Sequence, residues 1–290
     1  MSRVVLFTAQ DVGYQLVKLL APRYRLFVIS YQTYRDRKYG YRSAIQAARE
    51  SNVCDIVDTT SFDDLLIHKI KRFRPEILVG AYYAKKIPQT VLDLAPVKVN
   101  IHPGILPYYR GRFPTPWYIL NGAKEFGLAI HEIDGGIDTG GVYFQATFPM
   151  PQDITGFEFY RLTQTYAAGL IDENLDLILS KTIKPEPQIG VGSYYSSIEP
   201  TWHVDWNRSV AEIERRVRVH AKPYNQVTGE IEGQTYKINK AVPISIPGYT
   251  AQGGGKVIEN RNDGTLIISC CDGCLHVIEY EQVKILDDKF

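Results

Sequence analysis

Short apolar runs alternate with segments of helical periodicity over the first hundred residues. The apolar runs at Val4–Phe7, Leu26–Ser30, Ile77–Gly80 and Val97–His102 are typical of buried parallel strands. Helices are predicted between them: one with Asp11 as its N-cap, then Ser43–Glu50, Phe62–Phe73 and a short one from Pro88. Strands that alternate with helices indicate right-handed βαβ units. We therefore predict an α/β fold with a Rossmann-like, mostly parallel sheet flanked by helices.

Two further apolar runs and one long helix complete this predicted domain, which we place at residues 1–185. Phe126–Glu132 and Val142–Phe148 are predicted strands on either side of a glycine-rich turn at 134–141. The longest predicted helix begins at Gly156 and ends near Ser180.

Proline and glycine punctuation marks a linker at 186–203, after which the pattern changes. Ser209–Val219 is predicted to be a helix with a capping box formed by Ser209 and Glu212. Four short apolar runs separated by turn residues then predict a small β-barrel-like (OB-like) C-terminal domain over 204–290. These runs are Gln234–Ala241, Lys256–Glu259, Thr265–Ser269 and Leu275–Glu279.

Composition limits the possible partners. The 290-residue chain is 44% hydrophobic and 22% charged, with a net charge of +1, as in an ordinary globular protein. This balance demands neither nucleic acid nor an anionic membrane. No apolar run approaches the roughly 18 residues of a membrane-spanning helix, and the N-terminus lacks a signal-peptide pattern. We therefore expect a cytoplasmic protein without a membrane partner.

The cysteines do not form a metal-binding pattern. Cys54 is isolated, and Cys270, Cys271 and Cys274 crowd one predicted hairpin turn without the further ligands of a zinc site. We therefore expect no metal, and free thiols in a reducing compartment. The loop Thr8–Gly13 also lacks the Gly-x-Gly-x-x-Gly fingerprint, which argues against a nicotinamide enzyme.

Three polar side chains are predicted at the carboxyl edge of the sheet. Asn100 and His102 are two residues apart and so point to one face of a strand that Pro103 and Gly104 end. Asp138 lies in the later glycine-rich turn. An amide that stabilises an oxyanion, an imidazole that moves a proton and a carboxylate that fixes the imidazole tautomer suit acyl or formyl transfer. Spacing alone leaves open that His102 is a structural strand-end residue and that Asp138 only forms the turn.

At these residues the chain resembles the folate-dependent formyltransferases, which include methionyl-tRNA, glycinamide ribonucleotide and sugar N-formyltransferases. Their pattern Asn-x-His-(Pro/Gly)-Ser-Leu-Leu-Pro-x-Tyr-Arg-Gly matches residues 100–111, with Gly104 where Ser is usual. Their Asp-x-Gly-x-Asp-(Thr/Ala)-Gly element matches residues 134–140. The similarity runs from Arg3 to about Glu281, so the resemblance implies an N-terminal catalytic domain.

The resemblance implies 10-formyltetrahydrofolate as formyl donor, a primary amine as acceptor, and Asn100, His102 and Asp138 as catalytic residues. It also implies folate contacts from loops that follow strands and from one guanidinium group. The candidate folate-binding residues are Tyr82, Tyr83, Gly104, Ile105, Leu106, Pro107, Arg112, Asp134, Gly135, Gly136 and Ile137. Plain strand-end packing of the two tyrosines is left open, as is any role of Arg110.

The acceptor is harder to assign than the donor. Residues 201–290 hold 11 Lys and Arg against 12 Asp and Glu, whereas a domain that grips tRNA is expected to be basic. The pair Tyr82-Tyr83 resembles the sugar-nucleotide branch of the family. The basic and aromatic loop Tyr31–Arg42 either recognises a phosphate and a base or is a solvated surface.

We therefore expect an N-formyltransferase acting on a nucleotide-linked amino deoxysugar, with dTDP as the expected nucleotide, in the biosynthesis of a surface polysaccharide such as the O-antigen of lipopolysaccharide. Nucleic acid is not expected as a partner, and a homodimer is left open. The alternatives are methionyl-tRNA formyltransferase, another small-amine formyltransferase for peptide or siderophore synthesis, a non-catalytic folate-binding module, and a formyltetrahydrofolate hydrolase.

Overall fold

The structure, a computed structural model, describes residues 1–250 and 253–283. The chain divides into two compact units. The first unit comprises residues 1–114, 125–149 and 161–196, and the second comprises residues 115–124, 150–160 and 197 onward. The domain boundaries drawn from the sequence stay a prediction.

Regular elements cover most of the described residues. The strands are β1 Arg3–Thr8, β2 Arg25–Ser30, β3 Asp55–Asp58, β4 Ile77–Ala81, β5 Val97–His102, β6 Arg110–Gly111, β7 Glu125–Glu132, β8 Val142–Pro149, β9 Tyr194–Tyr195, β10 Val227–Ile231, β11 Gln234–Ile244, β12 Val257–Asn260, β13 Leu266–Ser269 and β14 Cys274–Gln282. The helices are α1 Gln10–Leu20, α2 Tyr34–Lys38, α3 Ala44–Glu50, α4 Asp64–Phe73, α5 Gln89–Leu92, α6 Thr115–Leu120, α7 Gly156–Leu179 and α8 Val210–His220.

In the described part of the first unit, a seven-stranded sheet has the order β3-β2-β1-β4-β5-β7-β8. The first five strands of this order are parallel, and β7 and β8 are antiparallel additions at one side. The carboxyl ends of β1, β2, β4 and β5 therefore meet at one edge of the sheet, where ligands bind in open α/β folds. The predicted mostly parallel, helix-flanked sheet is confirmed.

Both faces of this sheet are covered, as its continuous apolar strands require. Val4 and Leu6 of β1 belong to one buried cluster with Leu16 of α1. Val5 and Phe7, which alternate with them, belong to a second buried cluster on the other face.

The predicted N-cap of α1 is wrong. Ala9 occupies that position without a side-chain capping bond, and Asp11 lies inside the first turn. Its buried carboxylate instead accepts hydrogen bonds from the Arg42 backbone N–H at 2.8 Å and from Nε of Arg161 at 2.9 Å. Long-range donors from Arg42 and Arg161 thus replace the local capping contact that the sequence pattern suggested.

The described part of the second unit contains a five-stranded antiparallel sheet in the order β10-β11-β14-β13-β12, on which α8 packs. Ser209 caps α8 by accepting a hydrogen bond from the Glu212 backbone N–H, as expected. The indole Nε1 of Trp206 lies in the core of this unit and donates to the Glu230 carbonyl at 2.8 Å. The expected β-rich C-terminal domain is therefore present.

The cysteine cluster lies where β13 turns into β14, so the predicted hairpin is confirmed. All four cysteines are free thiols. Burial, reinforced by neighbouring Asp272, raises the pKa of Cys270 to about 12. Among the described residues, no three or more His, Cys, Asp or Glu side chains are arranged to hold a metal ion. In the same residues, no helix combines the length and apolarity needed to cross a membrane.

Candidate active site

Asn100 and His102 lie on β5 with their side chains on one face, as the two-residue spacing predicted. The antiparallel pairing of β5 with β7 sets Asn100 opposite His131 and His102 opposite Ala129. On the other side, β4 sets Gly80 opposite Asn100. A Cβ at Gly80 would lie only 2.8 Å from Oδ1 of Asn100. Glycine at this position therefore leaves the space that the Asn100 carbonyl group occupies.

Asp138 brings the glycine-rich turn to these two strands. Its backbone has a left-handed φ of 54°. Its Oδ2 accepts a hydrogen bond from the Gly111 N–H at 2.9 Å and lies 3.5 Å from Nδ1 of His102. Its Oδ1 lies 3.4 Å from Nε2 of His131. The structure thus brings Asn100, His102 and Asp138 together and adds a second histidine.

The tautomer of His102 follows from its partner. Nε2 lies 2.7 Å from the carbonyl oxygen of Tyr109, and a carbonyl only accepts, so Nε2 carries the hydrogen. In the neutral ring, Nδ1 is then the unprotonated atom and faces Asp138. Burial lowers the pKa of His102, although the Asp138 carboxylate and the Tyr109 carbonyl act in the opposite direction. His102 is therefore neutral at pH 7.

Asp138 is ionised at the same pH. Burial raises its pKa, but the two imidazoles beside it, those of His131 and His102, and the Gly111 N–H that donates to it outweigh burial. The net effect is a pKa below the ordinary value of an aspartate. The site therefore pairs a fixed negative charge with a neutral imidazole that can accept a proton.

Gly104, which stands where the family pattern has Ser, lies against the His102 ring. A Cβ there would be 2.6 Å from Nε2 of His102 and 2.8 Å from the Tyr109 carbonyl oxygen. A side chain at this position would thus enter the hydrogen bond that fixes the His102 tautomer. The departure from the pattern and the orientation of His102 are physically linked.

The loop after β5 is held mainly by backbone groups. The Leu106 N–H donates to Oε1 of Gln145 at 2.7 Å, and the Pro107 carbonyl accepts from the Ser193 N–H at 3.2 Å. Ile105 packs against Gly127, where a Cβ would lie 2.3 Å from its side chain. These partners keep residues 104–107 close to the sheet edge.

A second element closes on this loop, and it comes from the predicted linker. Strand β9 pairs with β6 in parallel, and the rings of Tyr109 and Tyr195 stack with centroids 5.2 Å apart. The Arg112 N–H donates to the Tyr195 carbonyl at 3.0 Å, while the Arg112 side chain is exposed. The exposed guanidinium remains available for a ligand.

The turn at 134–139 is an Asx turn. Asp134 accepts hydrogen bonds from the Gly136 N–H at 3.0 Å and from Oγ1 of Thr139 at 2.8 Å. A Cβ at Gly136 would lie 2.0 Å from that hydroxyl oxygen, so the turn requires glycine there. Gly135 faces open space, and Ile137 is 58% exposed. This rim presents backbone and one apolar side chain to solvent.

Arg110 and Gln188 clamp the turn that carries Asp138. Nη2 and Nε of Arg110 donate to Oε1 of Gln188 at 2.6 and 3.0 Å. Nε2 of Gln188 donates to the carbonyl oxygens of Asp138 and Gly140, both at 2.8 Å. Arg110, whose role the sequence leaves open, thus braces this turn through Gln188. Sequence analysis missed Gln188 because it lies far along the chain, in the predicted linker.

The two tyrosines after β4 point to different sides. Tyr82, at a left-handed φ of 54°, packs against the cluster that includes α1. Tyr83 packs in the opposite cluster, its ring 5.7 Å from Phe7 and 5.4 Å from Tyr31. Its hydroxyl is buried without a hydrogen-bond partner among the described residues, and burial raises its pKa to about 12.

His131 is a second residue of this site that the sequence did not reveal. Nδ1 lies 2.7 Å from the Glu132 carbonyl oxygen, and Nε2 lies 3.3 Å from Nδ2 of Asn100. Its position on an apolar strand gave no local sign of a role, since only the pairing register sets it beside Asn100.

The α/β sheet thus gathers an amide, an imidazole and a carboxylate at its carboxyl edge, a set of groups suited to acyl or formyl transfer. The Formyl transferase family pattern matches residues 3–171, and that of the Formyl transferase C-terminal domain matches residues 200–287. The chain belongs to this family and is a formyltransferase.

Its relatives point to two branches of the family. A methionyl-tRNA formyltransferase of Dechloromonas aromatica (strain RCB) is 30% identical over 258 residues, which are 86% of this chain and 81% of that protein. The solved N-formyltransferase from Helicobacter canadensis, in complex with folinic acid and dTDP-3-aminofucose, has a TM-score of 0.75 at 20% identity, covering 97% of this chain and all (100%) of that one. The solved methionyl-tRNA formyltransferase from Clostridium thermocellum has a TM-score of 0.58 at 16% identity, covering 98% and 100%.

Proposed function

We propose that this formyltransferase moves a formyl group from 10-formyltetrahydrofolate to the primary amine of a nucleotide-linked amino deoxysugar. The backbone superposes better on the N-formyltransferase from Helicobacter canadensis, with a TM-score of 0.75, than on the methionyl-tRNA formyltransferase from Clostridium thermocellum, with a TM-score of 0.58. This difference carries the assignment of the acceptor. The near-neutral charge of residues 201–290 supports it, because a tRNA-gripping domain is expected to be basic. Chemistry on dTDP-sugars for a surface polysaccharide is the corresponding role in the cell.

The rim of the site fits a folate donor. The exposed Ile137 and the open space at Gly135 suit the flat, partly apolar ring system, and the exposed guanidinium of Arg112 suits its glutamyl carboxylates. The donor supplies the formyl group and leaves with its N10 amine. The same rim fits any reduced folate that carries a one-carbon group on N10.

Asn100 is proposed to stabilise the formyl oxygen. That oxygen becomes negative when an amine adds to the carbonyl carbon, and an amide N–H placed at this point lowers the barrier by about 3 kcal/mol. Asn100 has two N–H groups on Nδ2, of which one faces His131. The other is the group proposed to bind the oxygen.

His102 and Asp138 are proposed to take up the proton that the amine loses. Because Nε2 of His102 already carries a hydrogen directed at Tyr109, the proton goes to Nδ1. Asp138 lies 3.5 Å from that atom and stabilises the resulting imidazolium. The proton then returns to the leaving N10.

A tRNA acceptor is the second candidate, and the observation that favours it is the 30% identity with a methionyl-tRNA formyltransferase over most of this chain. A tRNA acceptor requires a row of unpaired basic side chains on the surface of the second unit. In and just before α8, however, two arginines are paired with acidic residues: Arg208, which precedes the helix, pairs with Glu212, and Arg218 within it pairs with Glu214. These pairings leave fewer free cations for a phosphate backbone.

The test is amine-dependent release of tetrahydrofolate from 10-formyltetrahydrofolate. We expect turnover with a dTDP-linked 3- or 4-amino deoxysugar, and none with charged methionyl-tRNA. UDP- and GDP-linked amino sugars serve as the comparison for the nucleotide. Turnover with methionyl-tRNA alone would replace the proposal by the second candidate. Tetrahydrofolate release without any amine would indicate a hydrolase instead.

A further inference from the structure

His131 is 3% exposed and touches two of the three proposed catalytic side chains without being one of them. Nε2 lies between Nδ2 of Asn100 at 3.3 Å and Oδ1 of Asp138 at 3.4 Å. One ring nitrogen therefore faces a donor and an acceptor, and it can satisfy only one of them at a time.

The other ring nitrogen decides which partner is satisfied. Nδ1 lies 2.7 Å from the Glu132 carbonyl oxygen, which only accepts, so Nδ1 carries a hydrogen. In neutral His131, Nε2 is then an acceptor and pairs with an N–H of Asn100.

The tautomer of His131 with its hydrogen on Nδ1 gives the amide of Asn100 a preferred orientation. Its Oδ1 lies over Gly80, which has no Cβ, and its Nδ2 faces the acceptor nitrogen of His131. Rotating the amide by half a turn would direct Oδ1 at an unprotonated nitrogen, so both partners would be acceptors. Neutral His131 therefore selects the orientation in which Asn100 presents N–H groups.

From these contacts we propose that His131 is a positioning residue that fixes the Asn100 amide with its free N–H directed at the formyl oxygen. The inference rests on the proposed role of Asn100 in formyl transfer. The other titratable groups that face His131 are Asp138 and His102, whose ring centroid lies 6.3 Å away.

Replacement of His131 by Leu removes the acceptor, and replacement by Gln restores one near the position of Nε2. We expect H131L to lower kcat on the order of 10²-fold, since a misplaced catalytic group costs about that much, with KM for both substrates unchanged. We expect H131Q to keep kcat within one order of magnitude of the wild type. Wild-type kcat in folded H131L would overturn the proposal.

A double-mutant cycle separates positioning from a structural effect. If His131 acts through Asn100, the variant N100A/H131L is no slower than N100A, because the group to be oriented is already gone. If the loss of kcat in N100A/H131L equals the product of the losses in N100A and H131L, the proposal is overturned. If H131L does not fold, H131N replaces it, because Asn retains a donor toward the Glu132 carbonyl but has no acceptor at the Nε2 position.

A measurement without any acceptor substrate keeps this inference separate from the proposed function. The nitrogen chemical shifts and long-range couplings of His131 in the wild-type protein report its tautomer. Hydrogen on Nδ1 and none on Nε2 at pH 7.5 is expected, and a hydrogen on Nε2 would overturn the proposal. Absence of turnover with every amine would defeat the proposed function and leave this tautomer result standing.

Discussion

Nε2 of His102 lies 2.7 Å from the carbonyl oxygen of Tyr109, so the backbone of the loop after β5 fixes the tautomer of the central imidazole. This contact directs the unprotonated Nδ1 toward Asp138 and makes it the proton acceptor of the site. In many enzymes a carboxylate accepts a hydrogen bond from the protonated nitrogen of an imidazole. Here the Asp138 carboxylate instead lies beside Nδ1, the nitrogen that accepts the proton.

Removal of the imidazole tests this arrangement. We expect His102→Ala to lower kcat roughly 10²- to 10⁴-fold, the usual loss for a positioned proton-transfer group. The fold should persist, because β5 and its neighbours retain their backbone pairing. Single-turnover kinetics and a circular dichroism spectrum measure the two effects. Wild-type rates in the variant would remove His102 from the mechanism.

Gly104→Ser restores the usual family residue and is expected to harm this protein. The new Cβ would lie 2.6 Å from Nε2 of His102 and must displace the ring or the Tyr109 carbonyl. We expect kcat to fall by up to about 10²-fold. Gly169→Ala in α7 is the control, since nothing lies within 4 Å of its Cβ and a helix interior gains about 1 kcal/mol from the change. Equal activity of both variants would contradict the argument.

Gln188→Ala tests the brace behind Asp138. The variant loses the bonds to the carbonyl oxygens of Asp138 and Gly140 and leaves Arg110 without its amide partner. We expect a loss of about 1–3 kcal/mol in unfolding free energy and a lower kcat, since Asp138 is no longer held. Gln46→Ala, on an exposed face of α3, should change stability by less than about 0.5 kcal/mol. Urea denaturation and steady-state kinetics provide both readouts.

Tyr83→Phe decides between folate binding and plain packing of this ring. The Tyr83 hydroxyl is buried without a hydrogen-bond partner among the described residues, so its removal should leave the melting temperature unchanged or higher. We expect KM for the folate donor to rise severalfold, because the bound donor supplies the missing partner. An unchanged KM would assign Tyr83 to packing alone.

The buried His220 at the end of α8 gives a pH dependence of stability. Burial first, and then the charge of Arg216, lower its pKa from 6.5 to about 4. Between these values the unfolded chain binds a proton that the folded chain does not, so stability falls as pH decreases from 6.5 to about 4. The loss is about 3 kcal/mol. His102, whose pKa is also lowered by burial, adds a loss of the same sign below pH 6.5.

Urea midpoints at pH 7 and pH 4.5 measure this effect, with His220→Phe as the comparison. The variant should lose less stability between the two pH values than the wild type. An identical loss in both proteins would show that His220 does not titrate as described.

The sequence predicted the elements whose pattern is local. Strand β5 has the bounds expected from its apolar run, and Ser209 caps α8 as its spacing indicated. Strands β3 and β10 were not predicted. Asp55–Asp58 is half polar because it forms a sheet edge, and Val227–Ile231 contains Gly229, whose place under the Trp206 ring no local pattern reveals.

What the sequence by itself determined is that Asn100 and His102 share one face at the end of a buried strand, since side-chain alternation depends only on neighbouring residues. Tertiary structure alone decided what surrounds them. His131 lies 31 residues from Asn100 and Gln188 lies 50 from Asp138, so the strand register and loop closure that join them are set by packing over the whole sheet. Hydrophobic periodicity specifies which face of a strand is buried, but it does not specify which residue of a distant strand will lie opposite.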